Sequence, residues 1–330
     1  MPNPTILAGD IGGTKTVLAL VEKRTDGGFE MLREQTLPSA EHDTFEQALA
    51  LFLHDQPKID AACFGIAGPI IDQRCQTTNL PWIIDGEEIR QRFDFGRVRL
   101  LNDLEAMALG MLHLDPEDLI ELNPNAEPQT GNAAVIAAGT GLGEAILFWD
   151  GDKHHAMATE GGHCDFAPQT EQQVNLLSYL KGIYPEHVSW ERLVSGMGFS
   201  HLYDFLEQSR FAPPCPAVPS ADNPQPGVDR NAVISRLGIA GEDELCAEAV
   251  RQFAELYGAE AGNLALKGLA VGGVYIGGGI APKIRSVLES GEFMRSFTAK
   301  GRFQSLLARM PVKLALNPRT PLLGAMHYFD

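Results

Sequence analysis

The stretch Leu7–Leu20, LAGDIGGTKTVLAL, sets Asp10 just ahead of a glycine pair, Gly12 and Gly13, and then runs straight into β-branched and apolar residues. No 3.6-residue stripe follows the glycines, so the order reads as strand, tight turn, strand. A dinucleotide site would need a helix there. Glycines in a short hairpin turn suit positive φ angles and let the turn's N–H groups face an anion with no Cβ in the way. A carboxylate beside such a cradle repels phosphate unless a cation lies between. This predicts a Mg-nucleotide, with Asp10 reaching the metal through water. The same residues also read as an ordinary Gly-Gly hairpin with a solvated Asp.

Two further glycine clusters follow. AAVIAAGTGLGEAILF, Ala133 to Phe148, repeats the strand, turn, strand plan around Gly139, Thr140 and Gly141; GGVYIGGGIAPKI, Gly272 to Ile284, carries Gly277, Gly278 and Gly279. A repeated phosphate-type hairpin is harder to produce by chance than a single one.

The elements that must position these clusters are legible in outline. A strand is expected around Phe29–Leu37, and Asp43-Thr44 with Glu46 and Gln47 reads as a helix start before Phe45, Ala48, Leu49 and Phe52 at helical spacing. Ile59–Ile66 reads as a buried strand. Val98–Leu101 reads as another, ending at Asn102-Asp103 before a helix over Leu104–Leu109. The first third is therefore an α/β unit. A long amphipathic helix with Leu245, Ala249, Phe253 and Leu256 precedes the third glycine cluster. The proline-rich segment 211–230 reads as a surface excursion.

At 330 residues the chain is long enough for two domains, and its 44% hydrophobic and 21% charged composition is that of a globular protein. A net charge of -17 argues against partners such as nucleic acid or anionic lipid. No apolar run reaches the roughly 20 residues a membrane helix needs, and no leader-like pattern opens the chain. Cys63, Cys75, Cys164, Cys215 and Cys246 are scattered and lack CxxC spacing, which predicts neither a disulfide framework nor a zinc site and fits a reducing cytoplasm.

Taken together, LAGDIGGTKTVLAL, LLNDLEAMALGM, AAGTGLGEAILF, EGGHCDFAP, ERLVSGMG and GGVYIGGGIAPKI resemble the bacterial glucokinases, in register from Leu7 to about Phe329. The resemblance implies an α/β, two-domain actin-like ATPase (ribonuclease H-like) fold with a cleft between the domains. One domain would span 1–110, completed by a C-terminal helix over about 318–330, and the other 111–317. It implies ATP-dependent phosphorylation of glucose with ATP and Mg2+, and a homodimer as in relatives. Gly9, Asp10, Ile11, Gly12, Gly13 and Thr14 would form the first phosphate loop, and Gly139, Thr140 and Gly141 the second, with Gly277, Gly278 and Gly279 beside the adenosine. Asp103 matches the catalytic base, and Asn102, Glu160, His163 and Glu191 match further sugar contacts. These types suit a hexose, whose hydroxyls both donate and accept. Each residue has a structural alternative as well: Asp103 as a helix cap, Glu160 and His163 as loop or satisfied core residues, Glu191 as a helix-surface charge, and the third glycine cluster as close packing. Two departures stand out. Lys15 follows the GGT where the glucokinase group usually has Asn, as in the related ROK sugar kinases and repressors, and the EGGH motif lacks the clustered cysteines that give ROK proteins their zinc. A ROK-type repressor would need a helix-turn-helix ahead of Thr5. A chaperone-like ATPase would lack EGGH, and a kinase for another hexose or an amino sugar is the nearest alternative enzyme.

Overall fold

The structure, a computed structural model, describes residues 3–54, 58–77 and 80–330. It divides into two compact units, Met1–Pro116 with His154–Ala158 and Asn317–Asp330, and Glu117–Lys153 with Thr159–Leu316.

The first unit is built on a five-stranded sheet. Thr5–Ile11 pairs antiparallel with Lys15–Lys23, which pairs antiparallel with Phe29–Pro38; on its other side Thr5–Ile11 runs parallel to Ala61–Ile66, and that strand parallel to Arg97–Asn102. Period-two alternation sends the strand side chains to two separate cores. Leu7, Ile11, Leu18 and Leu20 pack with Phe45, Phe52 and Phe64 on one face, and Ile6, Ala8, Ala19 and Val21 pack with Ala106, Leu322 and Ala325 on the other. The helix Phe45–Phe52 starts where expected, with the Thr44 hydroxyl accepting the Gln47 N–H at 3.3 Å. On the opposite face the helices Asp103–Met111 and Thr320–His327 meet through glycine. A Cβ on Gly110 would overlap the Thr320 carbonyl oxygen and lie 3.0 Å from the Gly324 nitrogen, and one on Gly324 would overlap the Ala106 carbonyl oxygen.

The second unit repeats the plan. Ala133–Ala138 and Leu142–Trp149 form an antiparallel hairpin, Gly273–Gly277 lies parallel to the first of them, Val312–Ala315 is parallel to that, and Leu119–Glu121 closes the edge antiparallel. The helix Glu244–Gly268, capped by the Asp243 carboxylate on the Cys246 N–H at 2.9 Å, is buried along most of its length. The expected amphipathic stripe is thus wider than one face, because the helices Gly198–Gln208 and Arg230–Ala240 pack on it as well as the sheet. Residues 211–229 form neither helix nor strand and are mostly exposed. Among the described residues no helix is long and apolar enough to cross a membrane.

Candidate active site

In the first unit the strand register decides which residues emerge together. Ile11 lies beside Ile66, and Ile66 beside Asn102, all in parallel pairs. The loop Gly12–Thr14 and the pair Asn102-Asp103 therefore leave the sheet level with one another, at the carboxyl ends of two parallel strands separated by Ala61–Ile66. Open α/β sheets bind their ligands at such edges.

The hairpin departs from expectation in one respect: neither Gly12 nor Gly13 takes a positive φ. The turn is held by partners instead. The Gly12 N–H donates to the Lys15 carbonyl at 3.0 Å, the Ser39 hydroxyl to the Gly12 carbonyl at 2.8 Å, and the Ser39 N–H to the Thr14 carbonyl at 3.1 Å. Gly9 is inside the strand and buried; a Cβ there would sit 2.7 Å from a ring carbon of Phe64, so packing alone requires glycine at that position. The Ile11 side chain is likewise core, 1% exposed. Asp10 is half-buried, and burial raises its carboxyl above the usual range, an effect that the Lys15 ammonium partly offsets.

Asn102, not Asp103, is the N-cap of the helix Asp103–Met111. Its Oδ1 accepts the Leu104 N–H at 2.9 Å, and its Nδ2 donates to the Gly68 carbonyl at 3.1 Å. The cap-only alternative for Asp103 is corrected accordingly: Asp103 is the first helical residue, with Oδ1 3.0 Å from the same Leu104 N–H. One Asn102 N–H and one lone pair are left over after these two bonds.

In the second unit Gly277 lies beside Ala137 in a parallel pair, so the Gly139–Gly141 turn and Gly278 leave that sheet at one edge. Gly278 has φ +83, and a Cβ on it would overlap the Ala138 carbonyl oxygen; Gly279 faces open space. The turn itself is braced from the ERLVSGMG segment: the Gly196 N–H donates to the Gly139 carbonyl at 2.8 Å, and the Glu191 carboxylate accepts the Leu142 N–H at 3.0 Å while a Cβ on Gly141 would collide with it. Glu191 is therefore more than a helix-surface charge.

Glu160 caps the one-turn helix Gly161–His163 and His163 ends it; the His163 N–H closes the turn on the Glu160 carbonyl at 3.0 Å, and both residues are exposed. The turn is tied to the Glu191 segment by the Trp190 N–H on the Cys164 carbonyl at 3.0 Å and by the edge-on contact of Phe166 with Trp190. Glu160, His163, Glu191 and the Gly139–Gly141 turn thus belong to one connected assembly. Gly162 is glycine for space, because a Cβ there would overlap the Leu142 carbonyl oxygen. Sequence reasoning missed Ser39 and Glu144; the one available signal was a charged residue, Glu144, between Leu142-Gly143 and the apolar run AILF of one strand.

The model of the family described as Glucokinase matches residues 7–330. The chain belongs to the glucokinase family. It is 41% identical over 340 residues to a glucokinase of Synechocystis sp., covering 97% of this chain and 96% of that one. Among solved structures it is similar to the glucokinase from an Antarctic psychrotroph, with a TM-score of 0.84 and 32% identity over 98% of this chain and 97% of the other. It also shares its fold with the glucokinase from Balamuthia mandrillaris solved in complex with glucose, with a TM-score of 0.77 and 20% identity over 98% and 93% of the two chains. The fold is the two-domain actin-like sugar-kinase fold, of which the duplicated hairpin-plus-parallel-strand plan is the signature.

Proposed function

We infer that this protein transfers the γ-phosphoryl group of ATP to the 6-hydroxyl of D-glucose. The observation that carries the reading is the strand register that sets a glycine loop with Asp10 level with Asn102-Asp103, in a chain matched to the family from residue 7 to its end. In this reading the N–H groups of Gly13 and Thr14 and of Thr140 and Gly141 cradle phosphate oxygens, since those of Gly12 and Gly139 are spent within their own turns on the Lys15 and Gly141 carbonyls, and Gly277–Gly279 lie by the adenosine. Glu160, His163 and Glu191 read the sugar hydroxyls; unpaired groups at such a site penalise analogues that lack a hydroxyl. Asn102 orients the turn into the helix and offers its remaining N–H. Asp103 accepts the proton of the attacking hydroxyl as the phosphoryl group moves.

The donor set fits magnesium. Asp10 is an oxygen ligand at the mouth of the loop, and Mg2+ takes one or two carboxylates plus phosphates while keeping several waters. When bound, the ion neutralises charge on the phosphates. We place the protein in the cytoplasm on its scattered cysteines, all free in the structure, and as a homodimer on the family resemblance.

The test is ADP release with Mg-ATP across a panel of hexoses and amino sugars. Release that depends on glucose is expected; robust turnover of another sugar with none of glucose would sink the assignment. Sugar-independent release would favour the chaperone-type ATPase instead.

Stripping divalent cations with a chelator should abolish that activity, and Mg2+ should restore it. Active protein is expected to carry no stoichiometric zinc. The ligand atoms of Cys215, Asp243 and Cys246 do lie within 4.8 Å of one another, which the sequence spacing did not suggest, but they offer fewer donors than the four of a structural zinc site. Metal analysis returning one zinc per active chain would refute this.

A further inference from the structure

Glu144 lies within the strand Leu142–Trp149 and is 1% exposed. Its Oε1 has no hydrogen-bond partner among the described residues, an expensive position for a buried carboxyl. The rest of the carboxyl presses on the EGGH turn: a Cβ on Gly161 would overlap Oε2 and lie 2.8 Å from Cδ. The backbone of Glu144 holds the same turn, since the Thr159 hydroxyl donates to the Glu144 carbonyl at 2.9 Å and itself accepts the Gly161 N–H at 3.1 Å. The turn carrying Glu160 and His163 thus rests on Glu144 through both main chain and side chain.

From behind, the helix Glu244–Gly268 presents the titratable groups that face Glu144. Glu260 is fully buried, Lys267 has its Nζ 3.2 Å from Glu260 Oε1, and Tyr257 is buried nearby; Cys164 lies beyond Lys267. Lys300 also faces Glu260, its Nζ held by the Ala259 carbonyl at 2.8 Å and by Asn263 Oδ1 at 2.7 Å, so both lysines serve Glu260 while of the two only Lys267 acts on Glu144. Burial first, and then the charge of Glu260, push the Glu144 carboxyl up to about 8.

We propose that Glu144 is a positioning residue for sugar recognition: a neutral carboxyl packed beneath Gly161 holds the turn in the geometry from which Glu160 and His163 read the sugar. The proposal rests on the reading that these two residues contact glucose. Ionising Glu144 places a second negative charge beside Glu260 with no water to solvate it, and the cheapest relief is to displace the turn. A misplacement of about 1 Å in such contacts can cost on the order of 100-fold.

The experiment is steady-state kinetics with Mg-ATP and glucose between about pH 6 and pH 9, on the unmodified chain and on Glu144→Gln and Glu144→Ala, with thermal melts as a check on folding. The unmodified protein should show KM for glucose rising as pH passes about 8. Glu144→Gln, which imitates the neutral carboxyl, should keep KM near normal at neutral pH and lose that rise. Glu144→Ala should raise KM by about 10- to 100-fold and change kcat much less. An unchanged KM in a folded Glu144→Ala overturns the proposal, as does a pH-dependent rise that persists in Glu144→Gln. If Glu144→Ala does not fold, the Gln profile alone decides. Normal KM in Glu160→Gln and His163→Gln would overturn the sugar-contact reading and this inference with it, whereas impaired Glu160→Gln beside normal Glu144→Ala overturns this inference alone.

Discussion

Asp103→Asn is expected to lower glucose turnover by about 10²- to 10⁴-fold, the usual cost of removing a general base. A sugar hydroxyl is a poor nucleophile at neutral pH, and the transferred phosphoryl group needs an oriented, deprotonating partner more than covalent help. Asn keeps the size of Asp and an oxygen for the Leu104 N–H, but it cannot take a proton. The helix should survive the change because its N-cap is Asn102, whose bonds to Leu104 and Gly68 are untouched. Losing a carboxylate from the first turn of a half-buried helix start costs about 0.3–2 kcal/mol. Turnover, glucose affinity and melting temperature of the variant therefore separate two roles. Lost turnover with near-normal glucose binding and stability marks a base, and near-normal turnover would end the catalytic assignment.

The second large effect is on stability, and it reverses sign between two glycines. Gly110→Ala forces a methyl into the Thr320 carbonyl at the crossing of the helices Asp103–Met111 and Thr320–His327, where both neighbours are backbone and cannot rotate away. Overpacking of this kind costs about 1–3 kcal/mol or more, enough to outweigh the roughly 1 kcal/mol that Ala gains over Gly as a helix former. Gly182→Ala, near the end of the exposed helix Glu171–Ile183, meets nothing within 4 Å. There the propensity term acts alone, and the change should be neutral to stabilising by up to about 1 kcal/mol. Denaturant midpoints for the two variants test the pair; a Gly110→Ala as stable as the unmodified chain would show that the helix crossing is not tight.

Much of what positions the site is local, and local features are written in the sequence. Thr44 sits just before a helix with an N–H three residues on for its hydroxyl to accept, so capping chemistry marks that start, whereas at the second start the cap falls on Asn102, one residue before the Asp103 that the sequence suggests. The hairpins at Gly12–Thr14 and Gly139–Gly141 follow from alternating apolar strands interrupted by small residues, since such runs cannot continue as helix. The reasons for individual glycines were less legible. Gly12 and Gly13 looked like left-handed turn positions, yet Ser39, brought in from a later strand end, ties the loop and makes positive φ unnecessary. Gly9 looked like part of a phosphate loop, but the ring of Phe64 across the sheet is what excludes a side chain there.

The sequence by itself thus determined the strands and helices around the first hairpin, the long helix before the third glycine cluster, the duplicated glycine hairpins and the resemblance that names the family. These depend on residues within a turn or two of one another. Tertiary structure alone decided which residues meet across long separations. The resemblance implies a C-terminal helix in the first domain, and the structure adds the contact that seats it, Gly324 against Gly110. Tertiary structure also brought Glu191 onto the Gly141–Leu142 turn, and set Glu260 behind Glu144 under the EGGH motif. The physical reason is the same in each case: a backbone contact or a pair of buried carboxyl groups leaves no periodic mark on either segment, because its energy depends on the partner's position in space and not on neighbours in the chain.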